Sequence, residues 1–207
     1  MPKPQFSPTR SQLISAALAL LAALLFTGTA YYFSNPSHRV SYTGTALVGG
    51  PFTLTDHTGR KVTDKDFLGK YMLVFFGYTY CPDVCPTELQ VMSAALDSLG
   101  AKAGTIQPIF ISVDPQRDTP EVLKQYVANF HPRLVGLTGT PDEIASVAKA
   151  YRVYFSKVEN NSGTDTYLMD HSAIIYLMDR QGKFLKHFTY STDAAALAKA
   201  IEGAIAD

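Results

Sequence analysis

The reactive chemistry of this chain concentrates at its only two cysteines, in the stretch Phe75-Phe76-Gly77-Tyr78-Thr79-Tyr80-Cys81-Pro82-Asp83-Val84-Cys85-Pro86. Three readings fit a pair so spaced: a structural disulfide, a redox pair, or two metal ligands. A structural staple gains most from closing a long loop, and this one is very short. The other two readings need thiolates, which the first turn of a helix favours through its unpaired N–H groups and dipole. Cys85-Pro86-Thr87-Glu88 reads as such a turn, with proline near its start and an acid following. A thiol–disulfide exchange motif more commonly has two residues between its cysteines, and the wider gap suits metal binding at least as well. Two thiolates select a soft ion such as Cu(I), zinc or an iron–sulfur cluster. A closed zinc site or a cluster would ask for four ligands, so a further donor has to come from elsewhere.

His171 is the strongest candidate for that donor. It stands at the mouth of an apolar run, between Asp170 and Ser172, which are placed to orient its ring. A lone histidine there is by default a hydrogen-bonded structural residue. His57 and His131 read as surface residues of turns, and His187 falls within a hairpin.

Strands and helices alternate around these positions. Pro51 to Thr55 and Lys61 to Thr63 form an expected N-terminal hairpin across His57-Thr58-Gly59-Arg60. Tyr71 to Tyr78 is a strand buried on both faces, which delivers the cysteine loop. A helix follows from about Pro86 to Leu99, with Met92 in its apolar stripe and Gly100 at its end. Ile106 to Val113 is the next buried strand. It runs into Asp114-Pro115-Gln116-Arg117-Asp118, a loop at a strand's carboxyl end, where α/β proteins build sites; a capped loop with surface ion pairs fits equally well. Thr119-Pro120 and Thr140-Pro141-Asp142-Glu143 cap two further helices on either side of a short strand, Leu134 to Leu137. Val153 to Val158 is another strand candidate, and Glu159 to Thr164 a polar insertion. Ala173 to Met178 and Phe184 to Phe188 form a hairpin across Asp179-Arg180-Gln181-Gly182. A last helix covers about Asp193 to Ile205.

The N-terminus carries a second function. Lys3 and Arg10 precede an uncharged run whose apolar heart, residues 13–33, is long enough to cross a bilayer. Cleavage near Gly28-Thr29-Ala30 would make it a signal peptide; the aromatic Tyr31, Tyr32 and Phe33 favour a retained anchor. The division expected is a cytoplasmic-side tail (1–12), an anchor (13–33), a linker (34–47) and a globular domain (48–207). The 18 basic and 18 acidic residues cancel. Nucleic acid, which asks for a basic face, is therefore not an expected partner.

The element order, with cysteines after the first core strand, looks like a thioredoxin-like fold with an N-terminal β-hairpin extension. Together with Phe76-Gly77-Tyr78-Thr79-Tyr80-Cys81-Pro82-Asp83-Val84-Cys85-Pro86, then Ser112-Val113-Asp114-Pro115-Gln116-Arg117-Asp118-Thr119-Pro120, then Asp170-His171-Ser172, it resembles the Sco/SenC family of copper proteins over about residues 48–205. The resemblance implies a membrane-anchored chaperone that delivers copper, as Cu(I), Cu(II) or both, to the binuclear CuA site of cytochrome c oxidase subunit II or to another cuproprotein. Other copper chaperones would be further partners. It places the metal ligands at Cys81, Cys85 and His171. It also implies an inner-membrane location with the domain outside the cytoplasm, in a bacterial periplasm or a mitochondrial intermembrane space. Thiol–disulfide exchange by Cys81 and Cys85, and redox or copper sensing, are the competing functions; a thiol peroxidase is suggested by fold analogy alone.

Overall fold

A computed structural model of the chain describes residues 9–34, 47–159 and 167–206. These fall into two units that divide between residues 45 and 46. The first contains helix α1 (Arg10–Ser34), longer at its start than the expected span. Its segment Leu13–Tyr31 has a mean hydropathy of 2.1, and its described apolar side chains are exposed. Most of the expected linker and tail, and the insertion after Glu159, lie outside the described residues.

The second unit is built on β3 (Tyr71–Gly77), whose run Met72 to Gly77 is wholly buried. Burying each large apolar side chain there is worth roughly 1.5–3 kcal/mol, and neighbours on both edges are needed to achieve it. β4 (Ile106–Ser112) supplies one in parallel, and β8 (Ile174–Met178) the other in antiparallel register. β5 (Val135–Thr138) continues the parallel side, the hairpin β1 (Thr53–Asp56) and β2 (Lys61–Thr63) caps that edge, and β9 (Phe184–Thr189) closes the other. The resulting sheet runs β2-β1-β5-β4-β3-β8-β9. Helix α2 (Val84–Ser98) packs with α5 (Ala194–Ala206), α3 (Pro120–Val127) on β5, and α4 (Pro141–Ala150) on β1.

The capping expectations hold. Thr119 Oγ1 accepts from the Val122 N–H, and Thr140 and Glu143 form a reciprocal box. Met92 is core. Four readings change. Helix α2 begins at Val84, not Pro86, because the first intrahelical bond runs from Thr87 N–H to the Asp83 carbonyl, so the missing N–H of Pro86 costs nothing. Glu88 consequently lies beyond the first turn and is buried, with Oε2 unpartnered among the described residues; burial lifts its pKa to about 7. His57 is half-buried and its Nδ1 accepts from the Gly136 N–H at 3.2 Å, because the β1–β2 turn lies against β5. The side chain of His131 is only 10% exposed, and its Nδ1 accepts from the Arg133 N–H at 3.2 Å to close the turn before β5.

The strand candidate Val153 to Val158 is present as part of a further strand pair whose partner was not legible in the pattern. β6 (Phe155–Glu159) and β7 (Tyr167–His171) form a separate two-stranded sheet with no strand pairing to the larger one among the described residues.

The hairpin end of the large sheet is tied by Asp56. Its carboxylate accepts from the backbone N–H groups of Thr58 (2.8 Å) and Arg60 (3.0 Å), the Thr58 hydroxyl (2.6 Å) and the Arg60 guanidinium. Burial alone would raise its pKa; these bonds outweigh that and hold it at about 2, against an ordinary 3.8. The stabilisation is therefore complete above about pH 4 and disappears as pH falls through 2. Asp56→Asn is expected to lower unfolding free energy by about 1–3 kcal/mol at neutral pH, with the deficit shrinking below pH 4. Denaturant titration at both pH values checks this, and an unchanged midpoint at neutral pH would contradict it.

Candidate metal centre

The two sulfurs are placed by the end of β3 and the start of α2. After Gly77 the chain turns, with the Cys81 N–H bonded to the Tyr78 carbonyl at 3.3 Å. Asp83, the residue before the helix, makes no side-chain cap. Instead the Cys81 sulfur accepts from the Cys85 N–H at 3.3 Å, doing for an orphan first-turn donor what a capping oxygen usually does. Both thiols are free of a disulfide; Cys85 is fully buried and Cys81 half-exposed. Close packing fixes the inner sulfur: a Cβ on Gly77 would stand 2.8 Å from Cys85 Sγ and 2.9 Å from the Phe110 ring.

The third donor arrives on β7. His171 Nε2 lies 3.3 Å from Cys85 Sγ, and Nδ1 lies 3.3 Å from the Ser172 carbonyl. With Nδ1–H donating to that carbonyl, Nε2 turns its lone pair toward the sulfurs. The ring stands edge-on to Phe75 and Tyr78, at centroid distances of 6.2 and 5.9 Å. The expected orienting partners differ in detail. Asp170 faces solvent, because β7 alternates outward at that position, and the Ser172 hydroxyl is engaged in accepting from the Tyr154 N–H. It is the backbone of Ser172 that meets the ring.

One donor atom from each of Cys81, Cys85 and His171 lies within 4.8 Å of the other two. First-row metal bonds to thiolate and imidazole of roughly 2.0–2.3 Å bridge such spacing with little movement. The sulfurs differ electrostatically. A hydrogen bond from the Cys85 thiol holds Cys81 far below the usual thiol range, outweighing the opposite effect of its partial burial. The same bond to Cys81, together with burial, pushes the Cys85 thiol up. A cleft lined by Tyr78, Cys81, Pro82, Asp83, Met169 and His171 opens beside the trio.

The Asp114 to Asp118 loop, ambiguous in sequence, buries both of its acids. Asp118, fully buried, accepts from the Thr79 N–H (3.0 Å), the Thr79 hydroxyl (2.6 Å) and the Ser112 hydroxyl (2.5 Å). It thereby ties the cysteine loop to the end of β4. Arg117 donates to Asp114 and to the Tyr167 carbonyl. The signal available in sequence was an Asp-Pro turn carrying a second acid after an apolar strand.

Fold and site together define a thioredoxin-fold protein carrying a dithiol–imidazole centre suited to a soft metal ion. The SCO1/SenC family model matches residues 40–206, and the chain belongs to that family. It is 43% identical over 200 residues to Protein sco1 of Schizosaccharomyces pombe, covering 91% of this chain and 76% of that one. It spans only 54% of the human mitochondrial SCO1 homologue. The structure of Arabidopsis thaliana ScoI with copper bound superposes with a TM-score of 0.73 at 44% identity, covering 76% of this chain and 98% of that one. BsSco, a member of the Sco family of cytochrome c oxidase assembly proteins in which a disulfide switch was identified, superposes at 0.60 with 26% identity, over 76% of this chain and 93% of that one.

Because Cys81 combines thiolate character with access, limiting iodoacetamide at pH 7 is expected to label it about tenfold or more faster than Cys85. Peptide mass spectrometry after short exposure measures the ratio, and equal labelling would contradict the asymmetry.

Proposed function

We propose that this protein is a membrane-anchored copper chaperone that holds its cargo on Cys81, Cys85 and His171 and passes it to a cuproprotein in the assembly of cytochrome c oxidase, with the CuA centre of subunit II as the acceptor. The observation that carries the reading is the convergence of two soft sulfurs and one imidazole nitrogen beside an open cleft. Two thiolates suit Cu(I), and the imidazole extends the site to Cu(II). Copper bound to related Sco proteins and the assembly role named for the family support the cargo and its destination.

Delivery follows from the unequal exposure of the sulfurs. Cys81 and His171 line the cleft while buried Cys85 holds the ion from behind, so an acceptor thiolate enters on the Cys81 side. As each acceptor sulfur binds, one ligand of this chain is released, and the copper keeps its oxidation state throughout. Cys85 gives up its proton when copper binds and regains one on release.

The helix Arg10–Ser34 serves as the anchor. Lys3 and Arg10 at its start favour retention of that end in the cytoplasm or matrix, with residues 48–207 on the opposite side of an inner membrane. Alkaline carbonate extraction should leave the full chain in the membrane, and external protease acting on spheroplasts or mitoplasts should digest the domain. Release by carbonate or full protection of the domain would overturn this arrangement.

A second reading is favoured by the Cys81 thiolate. It could attack an acceptor disulfide, giving a mixed disulfide that Cys85 resolves; the acceptor gains two electrons and this chain ends as the Cys81–Cys85 disulfide. That activity has no need of His171. An anaerobic Cu(I) titration of the reduced full chain in detergent, against a competing chelator, separates the two. One Cu(I) per chain is expected. Cys85→Ser should abolish tight binding, and His171→Ala should weaken it by about tenfold to a hundredfold. Wild-type affinity in His171→Ala would reduce the metal site to a dithiol and bring the exchange reaction forward.

A further inference from the structure

The third ligand sits on the least supported element of the fold. Among the described residues β6 and β7 pair only with each other, yet His171 has to be kept 3.3 Å from Cys85 across 86 positions of sequence. Ring contacts with Phe75 and Tyr78 orient the imidazole at one end of β7. The other end is held by different chemistry.

Tyr167 opens β7, and its ring is met by two cations. The Arg117 guanidinium carbon is 3.7 Å from the ring centroid and the Lys157 ammonium is 3.8 Å from it. Both are within cation–π distance of the ring. Arg117 Nη1 donates to the Tyr167 carbonyl at 2.9 Å, and the Tyr167 hydroxyl donates to Asp114 at 2.7 Å. Burial and that bond to Asp114 raise the phenol pKa to about 12, so the hydroxyl keeps its proton at any physiological pH. Arg117 also ion-pairs with Asp114, which is 3% exposed, and its guanidinium lies 4.7 Å from the ring of Tyr80, the residue before Cys81. Its Nη2 is buried without a hydrogen-bond partner among the described residues, so stacking and the two directed bonds set its position. The next residue, Asp118, grips Thr79. One five-residue loop therefore holds the cysteine loop with one side chain and the histidine hairpin with another.

We propose that Arg117 is a positioning residue for the metal centre: stacked on Tyr167 and bonded to its carbonyl, it latches the β6–β7 hairpin to the loop that fixes the cysteines, and so presents His171 to them. The proposal rests on the dithiol–imidazole reading of the site. Arg117 touches no donor atom, and its effect on copper passes through His171. A guanidinium fits this place where an ammonium would not, because its planar fork stacks and donates in two directions at once.

The test uses the full chain in detergent. Wild type, Arg117→Lys, Tyr167→Leu, His171→Ala and the double variant Tyr167→Leu/His171→Ala are titrated anaerobically with Cu(I) against a chelator. Each is also loaded with Cu(II) for electron paramagnetic resonance, which reads nitrogen ligation. Arg117→Lys keeps a positive charge beside buried Asp114; Tyr167→Leu removes the ring and its hydroxyl bond to Asp114 while leaving the Arg117–Asp114 pair in place. Melting by circular dichroism verifies that each is folded. Both single variants should bind Cu(I) about tenfold or more weaker than wild type, and lose or broaden the nitrogen signature. Because the latch acts through the histidine, the double variant should be no weaker than His171→Ala beyond about threefold. Folded Tyr167→Leu and Arg117→Lys with wild-type affinity and an intact nitrogen signature, beside a weakened His171→Ala, would overturn the latch alone. Losses that multiply in the double variant would also overturn it. Wild-type binding by His171→Ala would remove the ligand reading and the latch with it.

Discussion

The contact between Cys85 Sγ and His171 Nε2 is the constraint around which the domain is arranged. A sulfur at the start of a helix is positioned within its own segment, but an imidazole from 86 residues away is positioned only by tertiary structure. Three elements have to agree for that contact to form. β3 sets the height of the cysteine loop, α2 sets the direction of Cys85, and β7 sets the ring. Each is fixed by a different kind of interaction, and the stiffness of the site reflects the weakest of them.

β3 is the strongest. Its buried run is held in parallel and antiparallel ladders on its two edges, and the absence of a side chain at Gly77 lets Cys85 Sγ and the Phe110 ring close over the strand. Helix α2 is fixed by Leu89, Met92, Ala95 and Leu96 in the core, and by the unusual cap that Cys81 supplies. That cap couples structure to chemistry. A thiolate is a better acceptor of the Cys85 N–H than a thiol, so the charge that prepares Cys81 for metal also tightens the first turn. Copper on that sulfur draws off part of its charge, so the N–H bond is weaker in the loaded protein than beside the free thiolate.

The parts of this arrangement that were legible in sequence are those with local signatures. The continuous apolar run of β3, the Thr-Pro starts of α3 and α4, and the turn before β9 each carry their cause within a few residues. The cysteine pair and its helix were legible for the same reason, although the start of α2 was misplaced by the assumption that Pro86 had to be the first helical residue. His171 could be selected as a candidate because two thiolates require a third donor. The hairpin that delivers it could not be read, since β6 and β7 alternate weakly and are separated by a polar segment. The burial of Asp118 was equally hidden: a charged residue in a Pro-rich loop looks solvated until Thr79 and Ser112 are seen to converge on it from other elements.

The difference in support between the two halves of the centre bears on how a chaperone can bind tightly and still let go. The sulfurs belong to the loop and helix that follow the central strand, whereas the imidazole belongs to an appended hairpin held by ring contacts, the Arg117 bond to the Tyr167 carbonyl and the Tyr167 hydroxyl bond to Asp114. A metal site built wholly on that loop and helix would hold its ion without a route for exchange. With one ligand on a hairpin that shares no ladder with the main sheet among the described residues, an incoming sulfur can replace that ligand and leave the ladders of the core undisturbed. Placing the hard constraint on the two thiolates and the adjustable one on histidine thus divides retention from transfer within a single three-ligand site.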